Sequence, residues 1–567
     1  MKFNELPYKR PAVAAVKQAL TDLTARLKNA RDFTEAQAVF LEQERQADDI
    51  ATMFTLAFIR HSIDTQDEFY TAEQEYADEA LPEIQEYAQR WNDALLESPF
   101  RPEFEKKYGR VLFVNAELEK KAFSPAIIPS LQRENALVTQ YQNLIASAQI
   151  PFEGGAYTLA QLEPFKLDPD DARRLAAWQA EGEFYTANAE QLDALYDELA
   201  RLRDAMGREL GFDGFLGLGY CRMTRNCYGP DDLSRFRKGV RDYVVPLADR
   251  LCREQARRIG RPYPLSYADA ALSFRSGNPT PCLTADGILE AGRAFYRGLS
   301  PETAEFIDFM FDNELLDVLA KKGKAGGGYC TSLPAHKAPF IFANFNGTAG
   351  DIGVMTHEAG HAFHAYLARD IVPAGNREPS AEACEVHSTA MEFFADSCAE
   401  TFFGADARKY LYSHLAELIT FIPYGTQVDH FQHIVYENPG MTPAQRHDAW
   451  RELTAVYMPW IRLDGEIPFY GEGKSWQQKH HIYELPLYYI DYCLADAVAL
   501  QIWAAMLHDK DKAWATYLRY TRLAGTKTFT ELVAAAGLGS PFDEDTLKTV
   551  CDAAAKWLDN FDMTGIM

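Results

Sequence analysis

The sequence is as informative for what it lacks as for what it holds. No run approaches the ~18 consecutive apolar residues of a membrane-spanning helix. The opening "MKFNELPYKRPAVAAVKQAL" has no apolar core of signal-peptide length, since Glu5, Pro7, Lys9 and Arg10 stand where it would be. The nine cysteines are an odd number and form no C-x-x-C pair. That pattern predicts free thiols in a reducing compartment, with the cytoplasm as the expected location, and it excludes a cysteine-based zinc finger. Positive charge is scarce: 57 Lys and Arg face 82 Asp and Glu, for a formal net charge of −25. Nucleic acids and anionic membranes both reward cations, so neither is expected as a partner. There is no internal repeat and no low-complexity segment. Histidine is also sparse, but it is not spread evenly. Eleven of the thirteen histidines lie between 336 and 481.

What is present is mostly helical. "AVAAVKQALTDLTARLKNA", "EAQAVFLEQERQADDIATMFTLAFIRH" and "DEFYTAEQEYADEALPEIQEYAQRWNDALLE" repeat apolar residues at three- and four-residue spacing. Heptads do not persist, which points to packed bundles rather than a coiled coil. "IPFEGGAYTLAQLEPFKLDPDD" (150–171) interrupts them with Gly-Gly and β-formers and reads as a small hairpin. The texture changes near 211, so the expected organisation is an N-terminal helical region, 1–210, and a second region, 211–567. The best strand signal is "GGGYCTSLPAHKAPFIFANFNGT" (326–348), with a turn at "LPAHK" and a β-forming run "PFIFANF". That run reads as an edge strand able to pair with an extended peptide, with Ala343 and Asn344 at its centre. "GKAGGGY" (323–329) reads as a flap or as a plain hairpin turn.

Just beyond it stands "DIGVMTHEAGHAFHAY" (351–366). A helix turns about 100° per residue, so His357 and His361 share a face and can both reach one metal ion. Glu358 lies one step round, where it can bond a water on that metal. Asp351 is the expected N-cap, and Gly360 allows another backbone to approach. The alternative is a pair of surface histidines on an amphipathic helix. Catalytic zinc usually takes three protein ligands and keeps one position open. A third histidine ten residues after His357 is ruled out, because that position is Leu367. The helix "SAEACEVHSTAMEFFADSCAE" (380–400) offers Glu382, Glu385 and Glu392 instead. Glu385 is the expected ligand, and Glu392, seven residues on, the acceptor that fixes a ligand imidazole. Either could instead be a solvated helix glutamate. His364 shares the face of His357 and is a candidate for substrate contact. Cys384 reads as a buried thiol.

"THEAGHAFH", followed 24 residues after His361 by "EVHSTAME", resembles the thimet oligopeptidase and oligoendopeptidase F family of zinc metallopeptidases. The later "HHIYELPLYYIDY" adds to the resemblance, which covers roughly 200–560 with a weaker helical match before it. It implies a mostly α body in two lobes around a deep channel, with a small β-sheet beside the zinc-binding helix. The channel would admit short peptides and exclude folded proteins. It further implies that "KHHIYELPLYYIDY" (479–492) supplies electrophilic groups, with His481, Tyr489 and Tyr492 as oxyanion donors and Tyr483 and Tyr488 as substrate contacts.

The function expected from these residues is a zinc oligoendopeptidase, with one Zn2+ held by His357, His361 and Glu385. Water on the zinc would attack internal bonds of short peptides, with Glu358 as general base. A helical zinc carboxypeptidase is the alternative enzyme. It needs a cation for a free C-terminal carboxylate, and Arg275 and Arg462 are candidates. A non-catalytic peptide-binding protein on the same fold is the third reading.

Overall fold

The computed structural model describes residues 2–321, 323–345 and 347–566. The chain folds into two compact units, each assembled from three segments. One comprises Met1–Lys120, Thr280–Gly404 and Ala505–Leu538; the other comprises Lys121–Pro279, Ala405–Ala504 and Gly539–Met567. Residue 210 therefore falls inside the first segment of the second unit. Among the described residues, no helix is long and apolar enough to cross a membrane, and all nine cysteines are free.

Helices dominate both units. The first unit opens with α1 (Val13–Lys28), α2 (Phe33–Ile63) and α3 (Glu68–Leu96). The starts of α2 and α3 are set by side-chain caps: Asp32 accepts from the Glu35 amide, and Asp67 from the amides of Phe69 and Tyr70. Their apolar stripes meet around Leu23, Leu27, Phe40, Trp91 and Leu95, which is the burial the three-and-four spacing requires. In the second unit, β1 (Ile150–Phe152) and β2 (Gly155–Tyr157) form the small antiparallel hairpin expected from "IPFEGGAY". Both turn residues, Glu153 and Gly154, have positive φ, the form whose twist matches the flanking strands.

The sheet of the first unit has three strands: β3 (Leu316–Leu319), β4 (Tyr329–Leu333) and β5 (Ala338–Phe345). Their order is β3-β5-β4, with β3 parallel and β4 antiparallel to β5. The sequence reading placed "PFIFANF" at an edge, and this is corrected: β5 is the middle strand. Only Asn344 along it is not buried. A Cβ on Gly328 would lie 3.4 Å from the Phe342 carbonyl oxygen and 3.8 Å from Ala343 Cα, so the chain closes over that side too.

From β5 the chain passes into α4 (Ala349–Ala368), which packs on β4 and β5 and on α5 (Ala381–Ala395). Asp351 is not the cap. The helix starts earlier, at Ala349, and Asp351 stands in its first turn with Oδ2 accepting the Gly347 amide at 2.6 Å. A carboxylate there also suits the helix dipole. The second unit holds α6 (Ala407–Glu437), α7 (His480–Glu484) and all but the last two residues of α8 (Ile490–Met506). The first unit is completed by α9 (Lys510–Leu523), whose Tyr517 and Tyr520 hydroxyls donate to the α5 carbonyls of His387 and Ala383 at 3.1 and 3.3 Å.

Candidate metal centre and aromatic donor cluster

The candidate metal centre begins with a glycine. α4 and α5 cross so closely at Gly360 that a Cβ there would lie 2.7 Å from Ser388 Cα and 2.8 Å from the His387 carbonyl oxygen. No larger residue permits that approach without separating the helices. Behind the crossing the face is dry: Met355, Ala359, Ala362 and Phe363 are buried. The front face of α4 carries His357 and His361, and the crossing sets Glu385 of α5 opposite them.

Three donor atoms converge there. Glu385 Oε2 lies 3.3 Å from His357 Nε2 and 3.5 Å from His361 Nε2. The three ligand atoms are all within 4.8 Å of one another. A tetrahedral zinc with bonds of 2.0–2.2 Å separates its donors by about 3.3 Å. The residues present therefore suit a zinc ion, by donor type and by spacing. His357 uses its other nitrogen as well, with Nδ1 2.7 Å from Glu392 Oε1. Glu385 is oriented by Ser388, whose Oγ donates to Glu385 Oε2 at 3.1 Å and to its carbonyl at 2.9 Å. From the sequence Ser388 stands only as the serine of the E-x-x-S-x-x-x-E pattern of the resemblance, with no role attached; the i, i+3 spacing on one helix carries the signal for this one.

The electrostatics follow from burial and pairing. Burial works to lower the His357 imidazole, but hydrogen bonds to Glu385 and Glu392 prevail and raise it well above its usual value. Burial works to raise the Glu385 carboxyl, and hydrogen bonds from His357 and His361 hold it well below. The Glu358 carboxyl is raised by burial, against the pull of His357 and His361. A carboxylate lifted toward neutrality is a better proton acceptor for catalysis at neutral pH. Cys330 and Cys384 have thiols pushed up by burial and by neighbouring carboxylates, the first by Glu358 and Glu378. Neither has the lowered pKa of a thiolate nucleophile.

His364 is buried and stacks on His387 of α5, with ring centroids 4.2 Å apart and planes 7° from parallel. Burial drives its pKa down to about 3, so it stays neutral. Ala343 is buried inside β5. The Asn344 amide donates to the Ala325 and Gly327 carbonyls at 2.7 and 3.0 Å, tying down the glycine-rich loop. That loop is also held at the end of α2, where Ala325 N–H donates to the Ser62 carbonyl and Thr65 N–H to that of Gly323.

His481, Tyr488, Tyr489 and Tyr492 lie together in the second unit. The His481 ring is 5.7, 5.0 and 6.0 Å from those of Tyr488, Tyr489 and Tyr492. Tyr483 does not join them, which corrects its expected substrate contact. It is fully buried, stacks on Tyr141 at 4.0 Å, and donates its hydroxyl to the Leu192 carbonyl at 3.2 Å. The break between α7 and α8 sets the cluster. Leu487 has φ of +69°, an unusual conformation for a bulky residue. Its amide donates to Gln432 Oε1 at 2.8 Å, and its carbonyl accepts from the buried Arg225 guanidinium. Arg225 also reaches Asp491 Oδ1 at 3.2 Å.

Comparison with known proteins places this geometry. The model of the peptidase M3 N-terminal domain matches residues 3–123, and that of peptidase family M3 matches residues 305–551. None of the curated proteins compared matches the chain. Among solved structures, a provisionally named oligoendopeptidase F is 44% identical over 99% of each chain, with a TM-score of 0.93. PZ peptidase A, solved with an inhibitor, is 43% identical over 99% of this chain and 100% of its own, with a TM-score of 0.94. A provisionally named oligoendopeptidase F from Bacillus anthracis str. Ames is 43% identical over 99% of each chain, with a TM-score of 0.89. With two family domains and near-complete coverage at this identity, the chain is a peptidase and belongs to the M3 family, that of thimet oligopeptidase and oligoendopeptidase F.

Proposed function

We propose that the protein is a zinc-dependent oligoendopeptidase that cleaves internal bonds of short, unstructured peptides. The observation that carries this is the convergence of His357, His361 and Glu385 at zinc-ligand spacing, beside a carboxylate raised by burial. Those three residues would hold one Zn2+, which supplies polarisation of a peptide carbonyl and lowers the pKa of a water to about 7. Glu392 fixes the His357 ring and its tautomer by accepting a hydrogen bond from Nδ1–H. Ser388 orients the Glu385 carboxylate. Glu358 accepts the proton of the attacking water and returns it to the leaving amine. His481, Tyr489 and Tyr492 donate hydrogen bonds to the oxygen on which negative charge develops. Support for that role is their gathering on one strained, clamped chain break, together with the likeness of "HHIYELPLYYIDY" to the family.

The carboxypeptidase reading is weaker. Arg275 already lies 3.4 Å from Asp171 and donates to the Ile259 carbonyl at 2.9 Å. Arg462 is engaged by Glu466 at 2.7 Å and by Asp464. Neither is an uncommitted cation for a free C-terminus.

The test is mass spectrometry of peptides blocked at both ends, from about five to forty residues, with and without a chelator. Chelator-sensitive internal cleavage that fades with length is the expected result. Trimming of unblocked peptides alone would replace this reading with the exopeptidase. No cleavage of either would favour the peptide-binding protein.

A further inference from the structure

This chain buries ammonium groups by pairing them. Lys166 lies against Glu163 at 2.9 Å and Glu181 at 3.0 Å. Lys324, fully covered, meets Asp317 at 2.5 Å. Lys479 breaks the pattern. It is half-buried, and no carboxylate pairs with it among the described residues. Its surroundings are aromatic: Nζ is 5.3 Å from the Tyr424 ring centroid and 4.9 Å from that of Tyr489. Burial holds its pKa down to about 8. Covering an unpaired ammonium costs free energy that pairing would recover. Such a group at a functional site calls for a functional reason.

The hydrogen bond it makes supplies one. Lys479 Nζ stands 3.1 Å from the Tyr489 hydroxyl. An ammonium has donors and no acceptor, so the phenol oxygen accepts. The Tyr489 proton must then point elsewhere, and among the described residues it has no acceptor. The core tyrosines differ: Tyr483 and Tyr141 donate to the Leu192 and Gln477 carbonyls. Their protons are already used. A phenol that accepts from a cation is also polarised into a stronger donor.

We propose that Lys479 is a positioning residue that occupies the Tyr489 oxygen and so presents the Tyr489 proton, strengthened as a donor, to the oxyanion of the substrate. This rests on the oxyanion role given to Tyr489 above. It singles out Tyr489 within the aromatic cluster and explains why the chain keeps a costly lysine beside it.

The test is a double-mutant cycle of Tyr489→Phe and Lys479→Met on the zinc-loaded enzyme with one blocked peptide, together with Lys479→Arg. Tyr489→Phe is expected to lower kcat about a hundred-fold. Lys479→Met is expected to lower kcat about ten-fold, the scale of one hydrogen bond to a charged group, with KM within about two-fold. The double variant should be no worse than Tyr489→Phe alone, and Lys479→Arg, which keeps a donor, should stay closer to wild type than Lys479→Met. Lys479→Met should melt no lower than wild type, because it removes an unpaired cation. An impaired Tyr489→Phe beside a fully active Lys479→Met overturns the role of Lys479 alone. So do losses that multiply in the double variant, or a fall in Tm that accounts for lost activity. A fully active Tyr489→Phe overturns the assignment of Tyr489 as an oxyanion donor, and this proposal with it.

Discussion

His357 Nδ1 lies 2.7 Å from Glu392 Oε1, so the ring is held from behind by the same helix that offers Glu385 in front. Removing that support leaves the ring free to turn and weakens its basicity as a ligand. Glu392→Ala is therefore expected to weaken metal binding about 10- to 100-fold. Competition against a calibrated chelator measures this. Unchanged affinity would reduce Glu392 to a packing residue.

Glu358 makes the opposite prediction. It is one residue from a ligand but is not among the three converging donors. Glu358→Gln should keep the metal and lose about 10²- to 10⁴-fold in kcat, the range for a lost general base. The two readings are metal content per chain and turnover of a blocked peptide. Full turnover with full metal content would require another base.

Gly360 carries the crossing of α4 and α5. A methyl group there meets backbone atoms at 2.7 and 2.8 Å, which cannot rotate aside. Gly360→Ala should destabilise the protein by about 1–3 kcal/mol, as overpacking does. It should also weaken metal binding, because the crossing sets Glu385 opposite His357 and His361. Thermal unfolding and metal titration of one preparation test both effects. A normal Tm with normal affinity would show that the helices part without cost.

Local signals account for what the sequence revealed. His357, His361 and Glu358 are one turn of a helix, and Glu385 and Glu392 are two turns of another, so period alone places them. The hairpin at "IPFEGGAY" announces itself by its turn. Strand order is not local. β5 is central because "LDVL" (316–319), a four-residue run with no clear strand pattern, pairs beside it from across the glycine-rich loop. Tyr483 resembles its neighbours in "HHIYELPLYYIDY", and it is Tyr141 and Tyr196, far away in sequence, that make it core. Lys479 carries no local signal, because Tyr424 of α6 and Tyr489 flank it only in the fold.

The stacked pair His364 and His387 predicts a fold that loses stability in acid. Burial lowers His364 to about 3 and takes His387 well below its usual value. The unfolded chain protonates both near 6.5. Between about pH 6.5 and 3 the unfolded state thus binds more protons than the folded one, and stability falls as pH falls. Above pH 7 both states are neutral and the pair adds no pH dependence. A drop from 6.5 to 3 corresponds to a loss on the order of 4 kcal/mol for one histidine at the acid end. His387→Leu removes one of these proton acceptors. In chelator-treated protein, which separates this effect from ligand protonation coupled to metal loss, the variant should be less stable than or equal to wild type at pH 8. Its disadvantage should shrink or reverse by pH 4. Urea unfolding at both values decides it, and a stability difference independent of pH would mean that His387 is protonated or solvated in the folded protein.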